Sequence, residues 1–170
     1  MKIDLAGKVA LVTASTAGIG FAIAKGLAES GAEIILNGRS EQSVNAAIAR
    51  LQNEVSGAKA RPAIADLSDA DGAAQLLRAV NGVDILVNNV GGIVGRKWLG
   101  EIDRAFWQTV IDVNMTTMLN VTQSALPFLK AANGASIVNL ASQAGRAGGH
   151  SGSLVYSATK GAVLTWTRSL

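Results

Sequence analysis

Two side chains near the end of this 170-residue sequence could move a proton together. Tyr156 and Lys160 are four positions apart, and the segment around them has helical spacing at Val163, Leu164 and Thr167, which puts the pair on one face. A free phenol gives up its proton only near pH ~10. An ammonium one turn away favours the phenolate, so such a pair can work as a general acid and base at an alcohol or carbonyl oxygen. The same spacing also fits an exposed amphipathic face, and spacing alone leaves both readings open. A second constellation is the run Thr13-Ala14-Ser15-Thr16-Ala17-Gly18-Ile19-Gly20, which follows an apolar stretch and opens another. A diphosphate needs backbone N–H groups and a helix N-terminus within reach, and Gly18 and Gly20 keep side chains out of the way. The general fingerprint of three spaced glycines is not matched, and a tight strand-to-helix turn without a ligand fits as well.

The elements that must position these residues are legible from periodicity. Val9 to Thr13, Glu33 to Asn37, Pro62 to Ala65, Val83 to Asn88 and Ser136 to Ala141 read as strands. Helical patterns cover Ile19 to Ser30, Glu41 to Ser56, Ala70 to Val80, and a long stretch from Ile102 to Ala132. Runs such as Val-Ala-Leu-Val and Asp-Ile-Leu-Val are apolar on both faces, as parallel strands covered by helices on each side require. The alternating order predicts an α/β fold, a doubly wound parallel sheet with right-handed crossovers, in a single domain over 1–170. Punctuation agrees: Gly31 and Gly57 follow helices, Ser40 can cap the next one, and Ser68-Asp69 is expected to open the third.

Composition narrows the function classes. There is no cysteine and one histidine, His150, so disulfides, thiolate ligands and a His-rich metal site are excluded. No metal is expected. The net charge of +3 is small and its basic residues are scattered, which argues against nucleic acid as a partner. No window is long and apolar enough for a membrane span, and the opening Met1-Lys2-Ile3-Asp4-Leu5 lacks a secretory leader's apolar region. A cytoplasmic location is expected.

Taken together, the glycine-rich turn, Asn88-Asn89-Val90-Gly91, Asn114, Ser142 and Tyr156-Ser157-Ala158-Thr159-Lys160 resemble, in order and spacing, the short-chain dehydrogenase/reductase family. The resemblance spans nearly the whole chain. Ala14 stands where the family usually has its first glycine, and Val90 where it usually has alanine. The resemblance implies a Rossmann-like sheet of order 3-2-1-4-5 and hydride transfer between a nicotinamide cofactor and an alcohol or ketone. It assigns Tyr156 the acid/base role, Lys160 the hold on the nicotinamide ribose, Ser142 the substrate oxygen and Asn114 a water relay. Ser15, Thr16, Gly18, Ile19, Gly20, Asn89, Gly91, Tyr156 and Lys160 would line the cofactor, with Asp66-Leu67 at the adenine. No role is assigned to His150.

The cofactor type is read from Asn37-Gly38-Arg39-Ser40. An NAD-binding domain normally ends this strand with an acidic residue on the ribose 2′-hydroxyl. Here Gly38 leaves space, Arg39 offers a planar fork to a phosphate, and Ser40 adds a hydroxyl at a helix N-terminus, which predicts NADP(H). Arg39 as a solvated turn residue is the alternative. The expected substrate class is a 3-oxoacyl thioester or a sugar or polyol; a non-catalytic nucleotide-binding domain is the second hypothesis. Relatives pair through the long helix from about Asp112 to Ala132 and the last helix, so a homodimer or homotetramer is implied. Family members continue with two more strands, a Pro-Gly turn and a substrate lid, and the end on Arg168-Ser169-Leu170 without a cap is expected to be a chain cut within its last helix.

Overall fold

The computed structural model describes residues 3–170. The chain divides into two compact units, one formed by the residues up to Asn89 with Val121–Val138, the other by Val90–Asn120 with Asn139–Leu170.

The first unit is built on a five-stranded sheet of β1 (Val9–Val12), β2 (Glu33–Gly38), β3 (Ala60–Ile64), β4 (Ile85–Asn88) and β5 (Ser136–Asn139) in the order β3-β2-β1-β4-β5. β1 pairs in parallel with β2 and β4, and β2 with β3, with Leu11 opposite Ile35 and Leu86. Leu11, Ile34, Ile35, Leu36 and Leu86 are wholly buried, as central strands covered on both faces should be. At ~1.5–3 kcal/mol per buried side chain, this row is the main source of the sheet's stability. Helices α1 (Gly18–Glu29), α2 (Glu41–Glu54) and α3 (Gly72–Arg78) make the crossovers. β3 starts two residues before the apolar pattern predicts. Pro62 is tolerated within it because β3 is the outer strand and one of its sides carries no ladder.

Helix punctuation in this unit is as expected at two of three places. The Ser40 hydroxyl accepts from the Ser43 N–H and caps α2, while Gly31 and Gly57 follow α1 and α2 at φ +96° and +74°. The third expectation is overturned. Ser68-Asp69 does not open α3, because the Asp66 carboxylate captures both the Ser68 N–H (3.0 Å) and its hydroxyl (2.7 Å) in a local turn. The helix begins only at Gly72.

In the second unit, α4 (Arg104–Ile111) is capped by the Asp103 carboxylate, which accepts from the Phe106 N–H at 2.7 Å. The long predicted helical stretch holds a discontinuity. A wide π turn spans Asp112–Thr116 before the helix resumes as α5 (Thr117–Ala131), whose residues from Val121 onward belong to the first unit. The short α6 (Ala144–Ala147) lies tight against α7 (Leu154–Ser169), since a Cβ at Gly145 would meet the backbone of Lys160 and Gly161. No helix among the described residues is long and apolar enough to cross a membrane.

Candidate active site

In the first unit the turn between β1 and α1 is drawn into shape by side chains beneath it. The Asn37 amide oxygen accepts from the Ala14 N–H (3.0 Å), while its Nδ2 donates to the carbonyls of Ala63 and Ala65. Asn89 donates from Nδ2 to the carbonyls of Thr13 and Ala14, and its own N–H donates to the Thr13 hydroxyl. Thr13 completes the tie by donating to the Val87 carbonyl. Gly20 must be glycine: a Cβ there would sit 2.5 Å from both the Ala14 carbonyl and Asn89 Nδ2. Ala14 itself is held at φ +49°, in the left-handed region that its family counterpart, a glycine, occupies without strain.

Above these ties the N-terminus of α1 is open. Ala17 contributes no side-chain cap, no acidic residue lies in the first turn, and Ile19 is 70% exposed. Gly18, at φ +56°, has empty space where a Cβ would be. Uncapped N–H groups, a positive helix end and an apolar side chain left in water fit a bound diphosphate. The sequence-assigned residues divide here. Gly18 and Ile19 face outward and Thr16 is half-buried, whereas the Ser15 hydroxyl is turned inward, donating to the Val12 carbonyl and accepting from the Asn37 N–H. Arg39 and Ser40 are exposed at the end of β2, and the nearby positive charge of Arg39 helps the Ser68 hydrogen bonds hold the Asp66 carboxyl below its usual range. Leu67 is buried. One local expectation fails: Gly38 leaves no space for a ligand, because a Cβ there would lie 2.5 Å from Thr16 Cγ2 and 2.9 Å from Val44 Cγ2. Its glycine is a packing requirement.

In the second unit Gly91, Asn114 and Lys160 come together. A Cβ on Gly91 would stand 2.8 Å from Asn114 Oδ1 and 2.9 Å from Lys160 Nζ, and its φ of +147° also selects glycine. Asn114 is buried, with Oδ1 accepting from the Gly92 N–H (3.0 Å) and Nδ2 donating to the carbonyls of Gly92 (3.1 Å) and Val110 (3.0 Å). The π turn places it there: the Thr117 N–H and hydroxyl both reach back to the Asp112 carbonyl, and the Asn114 amide takes the Val110 carbonyl. Such single wide turns recur at functional sites.

Lys160 is 4% exposed, and its ammonium donates to the Leu140 carbonyl at 2.7 Å. Burial lowers its pKa from the ordinary 10.5. The ammonium lies 6.0 Å from the centroid of the Tyr156 ring, one turn back on α7. Ser142, just after β5, accepts at its hydroxyl from the Ala144 N–H (3.2 Å). His150 is exposed, and its Nδ1 lies 2.6 Å from the Ser151 carbonyl. The sequence reading missed Thr13, Asn37 and Gly145. Their signal was available for the first two: a polar residue at the carboxyl end of an otherwise apolar strand needs an internal partner.

Comparison with known proteins agrees with this arrangement. The family model for short chain dehydrogenase matches residues 8–170. Gluconate 5-dehydrogenase of Gluconobacter oxydans is 36% identical over 171 residues, covering 98% of this chain and 65% of the relative. Among solved structures, L-sorbose reductase from Gluconobacter frateurii, complexed with NADPH and L-sorbose, superposes with a TM-score of 0.90 at 26% identity, over 99% of this chain and 65% of the other. NADH-dependent reductase A1-R′, complexed with NAD, gives a TM-score of 0.89 at 32% identity, over 99% and 73%. The chain thus spans about two thirds of the length of such relatives. Matched along all but its first residues and carrying the glycine turn and the Tyr156/Lys160 pair in place, the chain belongs to the short chain dehydrogenase family.

Proposed function

We propose that the chain carries the catalytic and nucleotide-holding residues of an oxidoreductase that transfers hydride between NADP(H) and an alcohol or carbonyl substrate. The burial of Lys160 carries this reading. A lysine paired with a tyrosine for solubility keeps its ammonium in water; here it is sequestered, and among the described residues no carboxylate neutralises it. The ammonium stands 6.0 Å from the centroid of the Tyr156 ring, one helical turn away, where both could meet one bound substrate and cofactor. Bound nicotinamide would supply the hydride donor or acceptor.

In reduction, Tyr156 gives its proton to the nascent alkoxide oxygen; in oxidation, it takes the proton from the alcohol. Lys160 holds the nicotinamide ribose. Ser142 donates a hydrogen bond to the same substrate oxygen. Asn114 fixes Gly91 and Gly92 beside Lys160, and with both amide protons committed its Oδ1 keeps one lone pair for a relay water. Within the first unit, Gly18, Ile19 and Gly20 present N–H groups to the diphosphate, with Ser15 and Thr16 shaping the turn. Asp66 and Leu67 border the adenine, Asn89 and Gly91 frame the segment after β4, and Arg39 with Ser40 receives the 2′-phosphate. The absence of an acidic residue at the end of β2 supports NADP(H), though one relative binds NADPH and another NAD. Sugar-type or 3-oxoacyl substrates and a homodimer or homotetramer are what the family resemblance implies, and a cytoplasmic location is the expectation from the sequence.

Tyr156→Phe tests the reading. NADPH titration should be unchanged and kcat should fall by about 10²–10⁴-fold, the usual contribution of a positioned proton carrier. Turnover within a few-fold of the parent overturns it. Arg39→Asp tests the cofactor: the ratio of kcat/KM with NADPH to that with NADH should move toward NADH, and a constant ratio makes Arg39 a solvated turn residue.

A further inference from the structure

Charge is distributed unequally between the two units. The first holds nine Lys or Arg against nine Asp or Glu, and the second six against three, so the whole net charge of +3 belongs to the unit that carries Tyr156. All three acidic residues of the second unit precede residue 113, and none occurs in 113–170. Each is occupied locally: Glu101 accepts from the Trp98 N–H, Asp103 pairs with Lys97 and caps α4, and Asp112 bonds Gln108 and Thr116.

What remains is positive and unpaired. Arg96 and Arg146 are exposed, and among the described residues neither has a carboxylate partner. Both belong to segments that touch the chain on either side of Tyr156, one at Gly152 just before α7 and the other at Lys160 one turn beyond the tyrosine. The Lys97 N–H donates to the Gly152 carbonyl (3.0 Å), and a Cβ on Gly152 would lie 3.3 Å from Arg96 Cβ. Arg146 is on α6, whose Gly145 touches the α7 backbone at Lys160. α7 starts two residues before Tyr156, has no acidic residue in its first turn and receives no side-chain cap, so its positive end is uncompensated.

We infer that the substrate is anionic: a hydroxy or carbonyl compound whose carboxylate is received by Arg96 and Arg146 while its reacting oxygen is presented to Tyr156. This rests on the oxidoreductase reading and adds the substrate's charge to it. Guanidinium groups bind a carboxylate by paired hydrogen bonds, and a surface free of competing acids raises the local concentration of an anion.

The test compares a 2-keto acid with its methyl ester, using NADPH and the Arg96→Gln and Arg146→Gln variants. The expected result is a kcat/KM at least about ten-fold higher for the acid, which is lost in the variants and reduced by added salt, with the ester unaffected. A second arm follows quenching of the exposed Trp98 by oxamate, a carboxylate that cannot be reduced; both variants should weaken its binding by a similar factor. Equal efficiency on acid and ester, or oxamate binding indifferent to both substitutions, overturns the inference while leaving hydride transfer intact. Absence of turnover on either compound, with oxamate binding still dependent on the arginines, removes the oxidoreductase reading and retains the anion site.

Discussion

The turn between β1 and α1 is shaped by what is missing at its surface, whereas the Gly91–Asn114–Lys160 cluster is shaped by polar side chains packed inside. In the turn, Gly18 leaves the surface clear, Gly20 lets the helix close on the Ala14 carbonyl and Asn89, and the polar groups of Thr13, Asn37 and Asn89 are spent underneath on backbone atoms. Around Lys160, the polar atoms are packed against one another inside, and one glycine is the gap between them. The difference teaches where each region is fragile. A nucleotide held by backbone N–H groups tolerates changes of exposed side chains but no shift of the chain. A buried ammonium tolerates some backbone adjustment but no loss of its neighbours.

Gly20→Ala should have the largest effect. Its methyl would press on a backbone carbonyl with no freedom to move, so a stability loss of about 2–3 kcal/mol and a NADPH dissociation constant raised more than about ten-fold are expected from thermal melting and fluorescence titration. Unchanged NADPH affinity would mean that the turn does not hold the nucleotide. Gly91→Ala comes next. It should displace Lys160 Nζ and Asn114 Oδ1, lowering kcat by about 10–100-fold while the melting temperature falls less than for Gly20→Ala. Equal losses in both properties would erase the contrast between the regions.

Lys160→Met gives a smaller effect that depends on pH. The folded-state pKa of Lys160 lies below its unfolded value of 10.5, so between the two values the unfolded chain binds more protons and stability rises with pH. The parent should therefore gain stability relative to Lys160→Met as pH climbs through the folded pKa toward 10.5, as followed by denaturant midpoints; a flat difference would place the ammonium in water. Ala14→Gly should be mildest. Relief of the left-handed backbone, less the chain entropy that glycine adds, leaves a gain of about 0.5 kcal/mol and tighter NADPH binding.

Much of the framework was legible because parallel central strands are apolar on both faces, so Val9–Val12 and Ile85–Asn88 announce themselves, while the sheet order followed from the family resemblance and is the one observed. Helical spacing put Tyr156 and Lys160 on one face, and only the resemblance of the ordered motifs singled them out as an acid/base pair. The π turn at Asp112–Thr116 was not, since inserting one residue into a helical ladder requires neither proline nor glycine and leaves the apolar periodicity nearly intact. The start of α3 was misplaced because Ser68 satisfies a capping pattern locally, and only the fold shows its hydroxyl bound to Asp66. Gly38 was misread for a related reason: whether a missing side chain makes room for a ligand or for Thr16 and Val44 depends on residues distant in sequence.

The double use of the Asn37 amide also bears on how the polypeptide ages. Asn-Gly steps cyclise to succinimide and open to aspartate or isoaspartate, and the sequence has three: Asn37-Gly38, Asn81-Gly82 and Asn133-Gly134. The latter two asparagines are exposed, whereas Asn37 is 2% exposed, held by three hydrogen bonds of its amide and followed by a strand residue, so it cannot adopt the bent geometry that cyclisation needs. Peptide mapping after mild alkaline storage should find isoaspartate at Asn81 and Asn133 well before Asn37, and its arrival at Asn37 would record the opening of the sheet itself.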